Sequence, residues 1–226
     1  MCGRFTLAFN PNAIEEYFSI DIPGEHTGLS PRYNIAPSQD VAVVVRPDAE
    51  AGRNLTMMRW GLIPHWAKDS KIGYKMINAK AETLTEKPSY RTAYKKRRCL
   101  IPATGFYEWV VQEGRKQPYY IRRKDDGVFA FAGLWEHWVH EEQSIYSTTI
   151  ITTATDEKLQ DLHTRMPVIL PQDNHSDWLD PDLQDTESLQ ALLVSDTSML
   201  DYYPVSTQVN SPRNQGISLT ERVSAL

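Results

Sequence analysis

Cysteine is scarce in this chain: Cys2 and Cys99 are the only two among 226 residues. Two thiols cannot form a disulfide framework, so a reducing, cytosolic compartment is expected. Long apolar runs are missing as well. No stretch approaches the roughly eighteen apolar residues of a membrane-spanning helix, which excludes that class. The start of the chain has no basic leader followed by an apolar segment, so no secretory signal is expected. There is no repeat, no low-complexity tract and no Gly/Ser-rich linker, and residues 1–226 read as a single domain. A monomer is expected. The cysteines lack paired spacing, and His137 and His140 form no ligand set with them, so neither metal nor cofactor is expected.

The residues that are present describe an ordinary globular protein, 41% hydrophobic and 23% charged. Its net charge of −5 argues at first against a nucleic-acid partner. The distribution argues the other way. Between residues 71 and 98 stand nine basic residues (Lys71, Lys75, Lys80, Lys87, Arg91, Lys95, Lys96, Arg97 and Arg98) and only two acidic ones, Glu82 and Glu86. Residues 171–201 carry eight acidic residues and no Lys or Arg. A local basic surface attracts phosphates while a distant acidic segment sets the global sign. The same basic run also fits a solvated helix face.

Pro11 followed by Asn12–Phe18 predicts a short helix with Pro at its first position and a cap at Asn10. Residues 41–45 form a β-branched run and 55–60 a second strand candidate. Residues 89–98 suit a basic helix, and 98–101 a strand stopped by Pro102. Strands are predicted over 105–111 and 118–123, joined by a turn containing Gly114, and over 128–139 and 144–153. Residues 155–162 and 186–194 have helical spacing, and 202–206 read as a returning strand. Strands that follow one another without regular helices between them predict an α+β fold: a mostly antiparallel, curved, barrel-like sheet with short flanking helices.

Cys2 carries the chemistry of greatest interest. Aminopeptidases remove Met1 when the second residue is small, which leaves Cys at the N-terminus. Such a residue holds an amine titrating at about 7.7–8.0 and a thiol at about 8.5 on adjacent carbons. The amine condenses with an aldehyde to a Schiff base and the thiol then closes a five-membered thiazolidine. With Met1 attached the nitrogen is an amide and this route is blocked. Taken alone, Cys2 is equally an incidental small residue.

Seven segments change that balance: Met1-Cys-Gly-Arg-Phe5, Pro31-Arg-Tyr-Asn-Ile-Ala-Pro37, Arg59-Trp-Gly-Leu-Ile-Pro-His-Trp66, Ile77-Asn-Ala-Lys-Ala-Glu-Thr83, Cys99-Leu-Ile-Pro-Ala-Thr-Gly-Phe-Tyr-Glu-Trp109, Leu162-His-Thr-Arg-Met-Pro167 and Val209-Asn-Ser-Pro-Arg-Asn214. In this order and spacing the set resembles the SOS-response-associated peptidase (SRAP) family of abasic-site processing proteins, from residue 2 to about residue 216. The resemblance implies a largely antiparallel β architecture with a positive groove for single-stranded DNA. It implies a thiazolidine crosslink between the N-terminal Cys and the ring-opened sugar aldehyde of an abasic site. It makes Cys2 the nucleophile, with Asn78, Glu108 and His163 as its partners.

Those roles make chemical sense. A carboxylate and an imidazole supply the proton transfers of imine formation, and a half-buried Glu108 would have a raised pKa. His163 suits sugar ring opening, and Asn78 offers a neutral donor and acceptor. Each also has a plainer reading: a buried carboxylate paired with an Arg, a helix-terminal His, a turn Asn. Arg4, Lys80 and Arg165 lie beside these motifs and would hold phosphates. Family members often carry Arg where this chain has Lys80, which keeps the charge and loses the planar fork. Trp60 and Trp66 would stack on flanking bases or serve the core. Thr152 would donate to a phosphate.

Three rivals stay open. An N-terminal-nucleophile amidohydrolase also opens Met-Cys-Gly, although an apolar run then replaces Arg-Phe. A papain-like protease draws on Cys2, His163 and Asn78, with peptide cleavage confined to self-processing of Met1. A single-strand binder without a covalent step is the non-enzymatic reading. Strand cleavage by β-elimination through the Schiff base would add a lyase activity.

Overall fold

The computed structural model describes residues 2–8, 11–22, 30–194 and 196–225. Met1 and the expected cap at Asn10 lie outside the described residues. In chain order the elements are β1 (Phe5–Leu7), α1 (Pro11–Phe18), β2 (Arg32–Ile35), β3 (Asp40–Val45), β4 (Asn54–Trp60), β5 (Asn78–Lys80), α2 (Arg91–Lys96), β6 (Arg98–Ala103) and β7 (Gly105–Gln112). They continue with β8 (Arg115–Arg123), β9 (Phe129–His140), β10 (Gln143–Ala154), β11 (Arg165–Pro167), β12 (Ile169–Leu170), α3 (His175–Leu179), α4 (Thr186–Ala191) and β13 (Leu200–Pro204).

The fold is α+β and barrel-like, as expected. Strands β4, β3, β6, β9 and β10 pair in that order, and β10 pairs with both β9 and β4, which closes a five-strand ring. Closure removes the exposed edges that an open sheet would leave. Most pairings are antiparallel; β10 runs parallel to β4 and to β5. A second sheet has the order β13-β8-β7-β1-β2. Phe5 on β1 ties the two together. Its ring lies edge-on to Trp60 of β4, centroids 5.1 Å apart, and to Phe131 of β9 at 5.8 Å. One buried cluster accordingly joins Cys2, Phe5, Trp60, Phe131 and Ile150.

Local chemistry explains most elements. Val41–Val45 are all buried, as a β-branched run facing apolar surroundings on both sides requires. The β7–β8 connection is tighter than expected, because Glu113 and Gly114 both take positive φ (49° and 77°) and close a two-residue turn. Three expectations are corrected. Pro102 does not stop its strand: β6 continues to Ala103, with Pro102 opposite Ala130. Residues 155–162 form turns rather than a helix, a short span that helical spacing alone does not nucleate. The basic helix covers only Arg91–Lys96. Among the described residues no helix is long and apolar enough to cross a membrane.

Candidate active site

The two sheets meet where β1, β5, β7 and β11 come together, and the polar residues of the motifs gather there. Cys2 lies just before β1 and is fully buried. Asn78 opens β5, which is aligned by pairing Asn78, Ala79 and Lys80 with Ile150, Ile151 and Thr152 of β10. Its Nδ2 donates to the Cys2 carbonyl at 2.8 Å, and its Oδ1 is buried with no partner among the described residues. That unfilled acceptor sits beside the Cys2 backbone. Tyr90, which sequence reasoning missed, donates its hydroxyl to the Asn78 backbone carbonyl at 3.3 Å.

Glu108 is carried on β7, whose register against β8 sets it opposite Tyr119. It is 5% exposed, and burial pushes its carboxyl above the ordinary carboxylate range, opposed in part by His163. Burial also raises the Cys2 thiol well above its usual value, with the nearby Glu108 charge adding to the shift. Burial thus favours the neutral form of both the Cys2 thiol and the Glu108 carboxyl. Glu108 and His163 line one small cavity with Phe106, Ile121 and Leu162. Its volume is about 10 Å³, roughly the room of one water molecule. His163 Nδ1 lies 2.9 Å from the Arg165 backbone N–H and 3.1 Å from the Arg165 carbonyl, so the backbone of Arg165 holds the imidazole through that nitrogen.

The residues expected to touch DNA divide. Lys80 is exposed on β5, and Trp66 is 51% exposed on the loop after β4. Arg165 lies on β11 and pairs with Glu82 at 2.9 Å. Trp60 is a correction: it is 1% exposed, donates Nε1–H to the Ile77 carbonyl at 2.9 Å, and has no face to offer a base. Thr152 is another. Its hydroxyl is buried, reaches the Ala79 carbonyl at 3.4 Å, and accepts from Arg165 Nε at 3.4 Å. Arg4 is half-buried: Nη1 donates to Asn34 Oδ1 at 2.6 Å and to the Val209 carbonyl at 2.8 Å, and the guanidinium lies over Trp109.

Asn34 explains two motifs to which sequence reasoning gave no role. Its Nδ2 bonds the carbonyls of Val209, Ser211 and Asn214, so the Pro31–Pro37 and Val209–Asn214 segments clamp each other and fix Arg4 behind Cys2. The signal was present only as two short motifs far apart in sequence.

Residues 1–212 match the family model described as SOS response associated peptidase (SRAP). The chain belongs to the SRAP family. Similar SRAP relatives include the Abasic site processing protein YoqW of Bacillus subtilis, 48% identical over 98% of this chain and 99% of that protein. The Abasic site processing protein HMCES of Xenopus tropicalis is 34% identical over 95% of this chain and 76% of its own. A crystal structure of a protein from Bacteroides thetaiotaomicron superimposes with a TM-score of 0.84 at 28% identity, covering 99% of this SRAP chain and 100% of the other. One from Bordetella bronchiseptica has a TM-score of 0.74 at 26% identity, covering 91% and 100%.

Proposed function

We propose that this SRAP protein, acting as one domain, captures abasic sites in single-stranded DNA by closing a thiazolidine between Cys2 and the sugar aldehyde. The observation that carries this reading is the gathering of the motif residues: Asn78 holds the carbonyl of buried Cys2 at 2.8 Å, and buried Glu108 lines one cavity with His163. The names of the similar proteins, which process abasic sites, support the substrate.

Removal of Met1 frees the Cys2 amine. His163 assists opening of the sugar ring, taking the hydroxyl proton of the cyclic form or returning one to the ring oxygen. The amine adds to the aldehyde carbon, and Glu108 in its protonated form helps the carbinol oxygen leave as water. The thiol then adds to the imine carbon. A carbon–sulfur bond forms, the carbon–nitrogen double bond becomes single, and the thiol proton passes through Glu108 to the nitrogen. The balance is aldehyde plus aminothiol giving thiazolidine plus one water. Asn78 holds the Cys2 carbonyl through Nδ2 and offers Oδ1 to the amine or the carbinol hydroxyl. Lys80, Arg165 and Trp66 line the approach of the strand.

The test is covalent. Protein incubated with an abasic oligonucleotide should give a denaturant-resistant species whose intact mass is the sum of the two less one water. An intact oligonucleotide should give none. Cys2→Ala keeps an amine, so it should yield only a Schiff base that needs reduction to survive. A Cys2→Ala crosslink as durable as that of the wild type would remove the thiazolidine from the account.

A further inference from the structure

Arg165 is gripped along two edges. On the inner edge its Nε reaches Thr152 Oγ1 at 3.4 Å and its Nη2 donates to the Thr152 carbonyl at 2.6 Å. Thr152 is buried in β10 and cannot move without disturbing the barrel. On the outer end, Nη1 and Nη2 meet the two Glu82 carboxylate oxygens at 3.2 and 2.9 Å. That parallel pair of charge-assisted bonds has the geometry a guanidinium also makes with a phosphate. Thr152 aims Arg165 by itself, so Glu82 is not required for aiming.

Glu82 is the movable partner. Its side chain is 48% exposed against 18% for Arg165, and it stands on a short 3-10 turn, Ala81–Thr83. Burial works to raise its carboxyl, but hydrogen bonds from Arg165 and the charges of Arg165 and Lys80 hold it below the ordinary carboxylate range. It is therefore an anion at neutral pH, paired with Arg165 and under the influence of the Lys80 charge.

We propose that Glu82 occupies the seat of a DNA phosphate on Arg165, and that an incoming strand must displace it. The inference rests on the reading of this surface as a single-stranded DNA groove. Exchange of one anion for another leaves little net electrostatic gain at that contact. Undamaged DNA, held by reversible contacts alone, feels the whole penalty. A captured abasic strand is held by a covalent bond and does not. Glu82 thus sets specificity by weakening binding to intact DNA.

The experiment is a fluorescence-anisotropy titration of an intact single-stranded oligonucleotide over a salt series. It compares wild type, Glu82→Gln, Arg165→Gln and the double variant, with Glu82→Ala as a second way of removing the carboxylate. An exposed ion pair of this kind predicts binding about two- to fivefold tighter without the carboxylate. The slope of log affinity against log salt should steepen by about 0.7, one more phosphate neutralised without an internal anion released. In the Arg165→Gln background the gain should vanish, because the two residues act through one contact. Wild-type binding with no gain on removing the carboxylate overturns the inference alone, as does a gain that persists in full without Arg165. Failure of wild type to bind at low salt overturns the groove reading, and the inference with it.

Discussion

Glu108 is buried beside Cys2 and His163, and burial raises its carboxyl above the ordinary value. The folded protein therefore holds this proton more tightly than the unfolded chain does. Below the unfolded value of about 4.3 both states are protonated and the residue is neutral to stability. As pH rises from there through the folded value, the unfolded chain ionises first and folding loses stability. Glu108→Gln removes that loss. Its melting temperature should exceed that of wild type at pH 8, and the excess should shrink as pH falls toward 4. Parallel pH profiles for the two proteins would mean that the carboxyl is not perturbed. The same variant should slow crosslinking by roughly ten- to ten-thousand-fold, the range for a lost general acid–base group. A proportional loss of intact-DNA binding would make Glu108 a structural residue instead.

β7 shows how an element holds a functional side chain in place. A methyl group added at Gly105 would lie 2.3 Å from the ring end of Tyr120 on β8. That ring cannot swing aside freely, because Tyr120 is buried and its hydroxyl bonds Thr6 Oγ1 at 2.9 Å. Gly105→Ala should therefore cost about 1–3 kcal/mol in urea unfolding, typical of overpacking. It should also slow capture, since Glu108 follows three residues later on the same strand. Unchanged stability would show that the hairpin tolerates the added volume. Legibility at this scale followed periodicity. β3 and the β9–β10 pair were readable because β-branched and alternating runs fix which faces are buried. Trp60 was not readable in this way: β4 places apolar Leu55 and Met57 on one face and Met58 and Trp60 on the other, so alternation alone assigned no inner face, and the burial of Met58 and Trp60 is a finding of the structure. Trp66 sits on a loop where no period exists, and its exposure had no such signal. Pro102 failed as a stop because its strand pairing tolerates a missing N–H opposite Ala130. Cys2, Asn78, Glu108 and His163 were named from motifs. Glu82 was passed over because its partner, Arg165, lies 83 residues away and no local pattern links them.

Over the whole molecule, charge is sorted further than the sequence alone reveals. Of the nine basic residues between 71 and 98, two are used internally. Arg97 donates to buried Glu136 at 2.7 Å, and Arg98 is itself buried, bonding the carbonyls of Tyr94, Lys95 and Trp178. The other seven (Lys71, Lys75, Lys80, Lys87, Arg91, Lys95 and Lys96) are exposed. Arg98 reaches the acidic 171–201 segment through Trp178 at the end of α3, so one basic residue anchors that segment to β6 rather than meeting DNA. A protein of net charge −5 binds a polyanion through local basic surface such as this, and binding should fall steeply with salt. Each exposed cation that meets a phosphate contributes about 0.7 to the slope on a single strand. Lys80 lies on β5 two residues from Asn78, so Lys80→Ala should flatten the slope by about that amount and weaken intact-DNA binding at low salt. Arg97→Gln should leave the slope unchanged, because its charge is already spent on Glu136. Salt titrations of the three proteins against one intact oligonucleotide decide the matter: an unchanged slope for Lys80→Ala, or an equal loss for Arg97→Gln, would place the phosphate path elsewhere on the molecule.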